Sequence, residues 1–204
     1  MKHNHFTYKE LLSFGWLKTK EHFGYLISLV VGSFVIGLIT GGIPLVGNII
    51  AGLTTLAFLA ALFVITSGKK PTYKDLLTPF VTYKVTLHYF LASILYVVIV
   101  FVGIILLVLP GLYAAVRLQF YPYLIVEHEN LNAIDALKKS WEMTRGRFWK
   151  LVGFMFVIGV LNLLGLLALG LGLLFTIPVT AVAYTELYKK LSPHHNTKAE
   201  TVSE

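Results

Sequence analysis

A chain of 204 residues that is 56% hydrophobic and 13% charged, with no cysteine and a mean hydropathy of +0.75, carries about half the charge of a soluble domain. That composition excludes an ordinary globular or disordered chain, and the missing cysteines exclude disulfides, thiolate catalysis and Cys-ligated metals. The net charge of +7 suits either nucleic acid or an anionic membrane surface, and its placement along the chain favours the membrane.

The N-terminal stretch "MKHNHFTYKELLSFGW" is polar and has no small-residue cleavage site before the first apolar run, so no signal peptide is expected. From Tyr8, the residues Leu11, Leu12 and Trp16 follow helical spacing and form one apolar stripe, with Lys9, Lys18 and Lys20 among them. A basic amphipathic helix of this kind is predicted to lie in the headgroup plane. No charge then falls between His22 and Gly68, none but Arg117 between Thr86 and Val126, and none between Leu151 and Thr185. About 20 apolar residues suffice for one helical crossing, so each run holds two crossings joined by a turn. The period-two alternation of a β-barrel is absent.

The predicted fold is all-α integral membrane: six transmembrane helices arranged as three tandem repeats of an interfacial amphipathic helix plus a helical hairpin. Tyr8, Leu11, Leu12 and His22 align with Tyr73, Leu76, Leu77 and His88, and Pro44 aligns with Pro110. The third copy places Leu12 on Leu137, Trp16 on Trp141, Thr19 on Thr144, Lys20 on Arg145 and Phe23 on Phe148. Self-similarity of this sort defines a repeat protein. The expected organisation is one membrane domain over 1–192, with repeats at 6–68, 71–127 and 131–191, followed by a disordered cytoplasmic tail at 193–204. Gly37 with Gly41, and Ala57 with Ala61, have the small-residue spacing expected to pack helices together.

Lys69, Lys70, Lys74 and Lys84 fall between the first and second hairpins, and Lys138, Lys139, Arg145, Arg147 and Lys150 between the second and third. The opposite turns "TGGIPLVGN", "LVLPGLY" and "LGLLALGLG" carry no charge. This positive-inside pattern predicts a cell (inner) membrane protein with both termini cytoplasmic. Trp16, Trp141 and Trp149 fall at the same boundary, and His22, His88 and Arg147 read as anchors where the outward helices begin. The implied partners are membrane lipids, with anionic headgroups on the cytoplasmic side. No nucleic acid, cofactor or metal is expected; the scattered histidines, with the terminal "HNH" and "HH", lack a closed ligand set. Protein partners are not indicated, and a homo-oligomer is compatible with the pattern.

Arg117 is the anomaly. On a fourth helix drawn from Leu109 to Val126 it sits near the midplane, where a guanidinium costs about 2.5–3.5 kcal/mol on insertion scales. It is therefore predicted to face the interior, with Tyr113 and Tyr121 on its own helix face. Pro122 and Pro178 free the carbonyls of Leu118 and Leu174, and Glu186 is an acid near the end of the sixth helix. These are its candidate partners. One reading is a scaffold tie between helices; the other is an anion-binding site in a wet cavity.

The stretch "LPGLYAAVRLQFYPYLIVEHENLNAIDALKKSWEMTRGRFWKLVGF" resembles an uncharacterised family of bacterial and archaeal multi-pass proteins. It is similar to the YciC-type proteins and to the membrane domain of glycerophosphoryl diester phosphodiesterases. Pro110, Gly111, Arg117, Glu127, Ala136, Leu137, Ser140, Trp141, Thr144, Gly146, Phe148 and Trp149 carry the likeness. It implies a six-helix membrane domain and a shared role for Arg117 and "TRGRFW", without an activity. For Ser140–Trp149 two readings stand: a helix end that bends at Gly146, or a phosphate cradle of Ser140, Thr144, Arg145 and Arg147 at headgroup level.

The expected function is a noncatalytic membrane protein that binds or organises lipid, or supports transport of a lipid-like solute. A transporter or channel subunit is the alternative, since proline-broken helices around a central charge occur there. An enzyme is disfavoured, because the spans hold no titratable pair suited to acid–base catalysis. A cytoplasmic-face site using Glu127, His128, Glu129 or Glu142 has no motif behind it.

Overall fold

The computed structural model describes residues 6–168 and 170–192. Over them the chain is helical, with no strand. In order come α1 (Tyr8–Glu21), α2 (Phe23–Thr40), α3 (Pro44–Thr66), a 3-10 turn (Tyr73–Leu77), α4 (Thr78–Val81), α5 (Tyr83–Leu106), α6 (Val108–Leu118), α7 (Tyr121–Glu127), α8 (Ala133–Met143), α9 (Phe148–Leu167) and α10 (Leu173–Leu191). The expected tail at 193–204 and the terminal histidine clusters lie outside the described residues.

Among the described residues, four helical stretches are long and apolar enough to cross a membrane: Phe23–Thr40, Val46–Thr66, Tyr83–Leu106 and Phe148–Leu167. The other two expected crossings differ. The helix drawn from Leu109 to Val126 is broken at Gln119 and Phe120, leaving α6 with 11 residues and α7 with 7. Pro122 is the cause: it has no amide proton and sits in the first turn of α7, where that loss is tolerated. The sixth, α10, is continuous across Pro178 but carries Glu186, Lys189 and Lys190 in its last turns.

The chain divides into two compact units, Met1–Leu76 with Met155–Glu204, and Leu77–Phe154. The boundary falls within α9, so it cuts across the third of the expected repeats. In the first unit α10 packs against α1, α2 and α3. Its contact with α1 is very close, since a Cβ placed on Gly15 would lie 2.4 Å from the Val179 carbonyl oxygen. The buried face of α1 is Leu11, Gly15 and Thr19, while Trp16 is 46% exposed. Backbone proximity at a glycine therefore sets the face with which α1 docks on α10, and Trp16 of the expected apolar stripe stays open. A hydrogen bond from Lys190 to Glu10 ties the far ends together.

In the second unit α5 turns back at Leu107 into α6, and a Cβ on Gly103 would meet the Gly111 Cα at 2.8 Å. The helix α8 packs on α5, α6 and α7. Its start is fixed by Asn132, whose side-chain oxygen accepts the Asp135 amide at 2.8 Å, the arrangement expected of an N-cap. Its exit is fixed by Gly146, which takes φ 74°, a left-handed conformation open at low cost only to glycine.

Candidate functional site

Arg117, near the end of α6, is 3% exposed. Its Nε donates to Thr144 Oγ1 at 2.8 Å, one terminal nitrogen donates to Tyr113 Oη at 2.5 Å, and the other donates to the Trp141 carbonyl. The guanidinium carbon lies 4.4 Å from the Trp141 ring centroid and 5.3 Å from that of Tyr113, close enough for the ring quadrupoles to attract the cation. Among the described residues no carboxylate takes part, and the positive charge is held by dipoles and aromatic faces.

The same junction satisfies the backbone where α6 ends. Ser140 Oγ donates to the Arg117 carbonyl at 3.0 Å and accepts the Phe120 amide at 3.1 Å. Thr144 Oγ1 lies 3.1 Å from that carbonyl and 2.8 Å from the Ser140 carbonyl. One turn of α8, from Ser140 to Thr144, thus supplies the partners that the helix break would otherwise leave open.

These contacts divide the predicted site residues. Arg117 is interior, and Tyr113 bonds to it as helical spacing predicts. Tyr121 instead donates to Ser93 on α5 at 2.9 Å. The carbonyl Arg117 takes is that of Trp141, rather than that of Leu118 or Leu174, and Glu186 belongs to the other unit. Ser140 and Thr144 are fully buried and engaged with Arg117, whereas Arg145 is exposed and Arg147 half-buried. The four do not form a phosphate cradle. Gly146 fits the other reading, a bend between α8 and α9.

The first unit contains a cavity of about 990 Å³ among α2, α3 and the α9–α10 connection. Its walls include Phe34, Gly37, Ala51, Phe58, Leu174 and Ile177, and no charged residue lines it. Thr40, Thr54 and Thr55 also line it, but each hydroxyl donates to the carbonyl four residues earlier, at 2.8, 2.8 and 2.9 Å. The walls therefore present chiefly hydrocarbon. Gly37 faces open space, with nothing within 4 Å of an added Cβ. Of the Gly37–Gly41 pair, Gly37 thus lines the cavity, while Gly41 lies close to α3, 3.7 Å from a Cβ placed on Gly47.

A family model described as a domain of unknown function, DUF7847, matches residues 25–194. The chain belongs to the DUF7847 family. No curated protein and no solved structure matches it. The matched DUF7847 region spans the Arg117 junction and all the cavity walls. Among the described residues of this DUF7847 member, no three His, Cys, Asp or Glu side chains gather where a metal ion could sit.

Sequence reasoning missed the cavity because an apolar wall looks like any apolar helix. Its trace was the run of Ser33, Thr40, Asn48, Thr54 and Thr55 within otherwise hydrocarbon stretches. The docking partners of Arg117 were missed for another reason: they lie 24 and 27 residues further along the chain.

Proposed function

We propose that this protein is a noncatalytic multi-pass membrane protein that binds a lipid-like molecule in the first unit's cavity. One observation carries the reading: a cavity of about 990 Å³ without a charged wall residue, built largely from two helices long and apolar enough to cross a bilayer. That volume is at the upper end of the range for small-molecule pockets, and its hydrocarbon walls suit acyl or isoprenoid chains. Arg117 serves as the scaffold tie of the second unit.

The finer architecture belongs to the same proposal. Six crossings in three hairpin repeats, in the inner membrane with both termini cytoplasmic, are supported by the positive-inside pattern. The repeat is further supported by one shared packing device. Aligning Trp16 with Trp141 pairs Gly15 with Ser140 and Thr19 with Thr144. In each unit the first residue of that pair touches a carbonyl of the helix it docks on, Val179 in one and Arg117 in the other, and the threonine one turn later is buried. The likeness of Pro110–Trp149 to YciC-type proteins and to phosphodiesterase membrane domains agrees with a membrane domain and adds no activity. Anionic headgroups at the cytoplasmic face remain the proposed partners of the basic segments.

The test is photolabelling. A phospholipid with a diazirine near the end of its acyl chain, reconstituted with the full chain, should label peptides that contain Phe34 or Phe58. Labelling spread evenly over the outer faces of α2 and α5 would contradict the reading. A transporter or channel subunit is the second reading, favoured by the break at Gln119–Phe120 and by Pro178 within α10. Solute flux into proteoliposomes would establish it.

A further inference from the structure

The second unit has a groove of its own, about 470 Å³ in volume, between α5 and α8. Leu95 and Ile99 of α5, Leu118 at the end of α6 and Leu137 of α8 form an apolar floor, and Lys138 and Glu142 of α8 stand on its rim. Both rim residues are exposed. Neither takes part in any ion pair among the described residues. They are one helical turn apart, about 6 Å along the axis, with the lysine N-terminal to the glutamate, the weaker order for a pair within one helix.

Two opposite charges left open beside a hydrocarbon floor constrain the occupant. An anionic amphiphile would be attracted to Lys138 and repelled by Glu142, and a cationic one would meet the reverse. A zwitterion with its charges joined by a short link satisfies both. Trp141 also lines the groove, but one face of its ring already holds Arg117 at 4.4 Å, so the Glu142 carboxylate is the group that selects the cation. A quaternary ammonium favours a free aromatic face, whereas a primary ammonium donates hydrogen bonds to a carboxylate.

We propose that this groove binds a zwitterionic phospholipid with a primary-ammonium head. The phosphate sits on Lys138, the ammonium on Glu142, and one acyl chain lies over Leu95, Ile99 and Leu118. The site belongs to the second unit and does not depend on the cavity of the first.

The full chain is reconstituted in bilayers of equimolar phosphatidylethanolamine, phosphatidylcholine and phosphatidylglycerol, and retained lipids are identified by native mass spectrometry. Wild type should hold phosphatidylethanolamine about fivefold over each competitor, the preference that a pair of exposed charge contacts supplies. Glu142→Gln should shift retention toward phosphatidylglycerol, and Lys138→Gln should abolish the preference. The exchanged double variant, Lys138→Glu with Glu142→Lys, should restore it, since a zwitterion binds in either sense; restoration also shows that the fold is intact. Equal retention of all three lipids by wild type would overturn the proposal. So would a preference that both single variants keep, or one that the exchanged variant does not recover. A loss of lipid from the first unit's cavity would lower total retention in wild type and variants alike and leave the direction of the headgroup shifts between them unchanged.

Discussion

Replacing Thr144 by valine keeps the side-chain shape and removes one oxygen. That oxygen accepts from Arg117 Nε at 2.8 Å inside a junction where Arg117 is 3% exposed. A hydrogen bond to a charged group contributes about 1.5–3 kcal/mol, and its loss leaves a buried N–H donor without its acceptor. Interhelical hydrogen bonds in membrane proteins run lower, averaging about 0.6 kcal/mol with a maximum of about 1.7. Here the donor is a full charge, so Thr144→Val is expected to cost about 2 kcal/mol. In a chain of this length that is a fall of about 4–8 °C in midpoint. The assay is thermal unfolding in a fixed detergent, followed by near-ultraviolet circular dichroism. Arg117→Met should remove the charge whose donor was stranded, so Thr144→Val added to it should cost under about 0.5 kcal/mol. The resulting cycle isolates a coupling of about 1.5 kcal/mol. A Thr144→Val midpoint within 1 °C of wild type, taken as roughly the smallest meaningful shift, would refute the clasp, as would strict additivity in the double variant.

Other expected outcomes can be checked on the same protein. Gly146→Ala forces a side chain into φ 74° and should destabilise by about 1–2 kcal/mol, read as a lower midpoint in the same scan. Gly15→Leu drives a side chain into the Val179 carbonyl and should free α1, seen as a gain of hydrogen exchange over Tyr8–Glu21. Gly37→Leu, in open space, should fold at least as well as wild type, with helix propensity adding up to about 1 kcal/mol. The hydrogen bond from Lys190 holds the Glu10 carboxyl below the usual carboxylate range. A depressed pKa stabilises above its unfolded value and stops stabilising as pH falls through the folded one. Exchange of α1, corrected for intrinsic rate, should therefore increase on acidification through that window, by a small amount because the pair is exposed. Lys190→Gln should abolish the dependence.

Charge placement made much of the helical order legible. The uncharged runs became α2 with α3, α5 with α6, and α9 with α10; the first and third turns fell where expected, whereas the second lies at Leu107 and Pro110 and Gly111 belong to α6. The interior position of Arg117 followed from the cost of a charge in hydrocarbon, and Tyr113 from helical spacing. The break at Phe120 did not follow. Proline at 122 was read as freeing one carbonyl, whereas the chain ends one helix and starts another, a choice decided by Ser140 being present to take the Phe120 amide. The docking of α1 and α8 was equally hidden. Their contact faces hold Gly15, Thr19, Ser140 and Thr144, small residues that a hydrophobic pattern passes over and that only a partner helix explains.

The proposed lipid-like guest lies in the first unit's cavity, while Arg117 holds the second unit together. Native mass spectrometry of co-purified lipid tests it most directly, comparing Gly37→Phe with Arg117→Met at matched folded fraction. Fewer bound lipids per chain in Gly37→Phe than in wild type, with the wild-type number kept in Arg117→Met, is the predicted result. The wild-type number in Gly37→Phe, with a loss in Arg117→Met, would overturn the cavity proposal and place the ligand at the guanidinium.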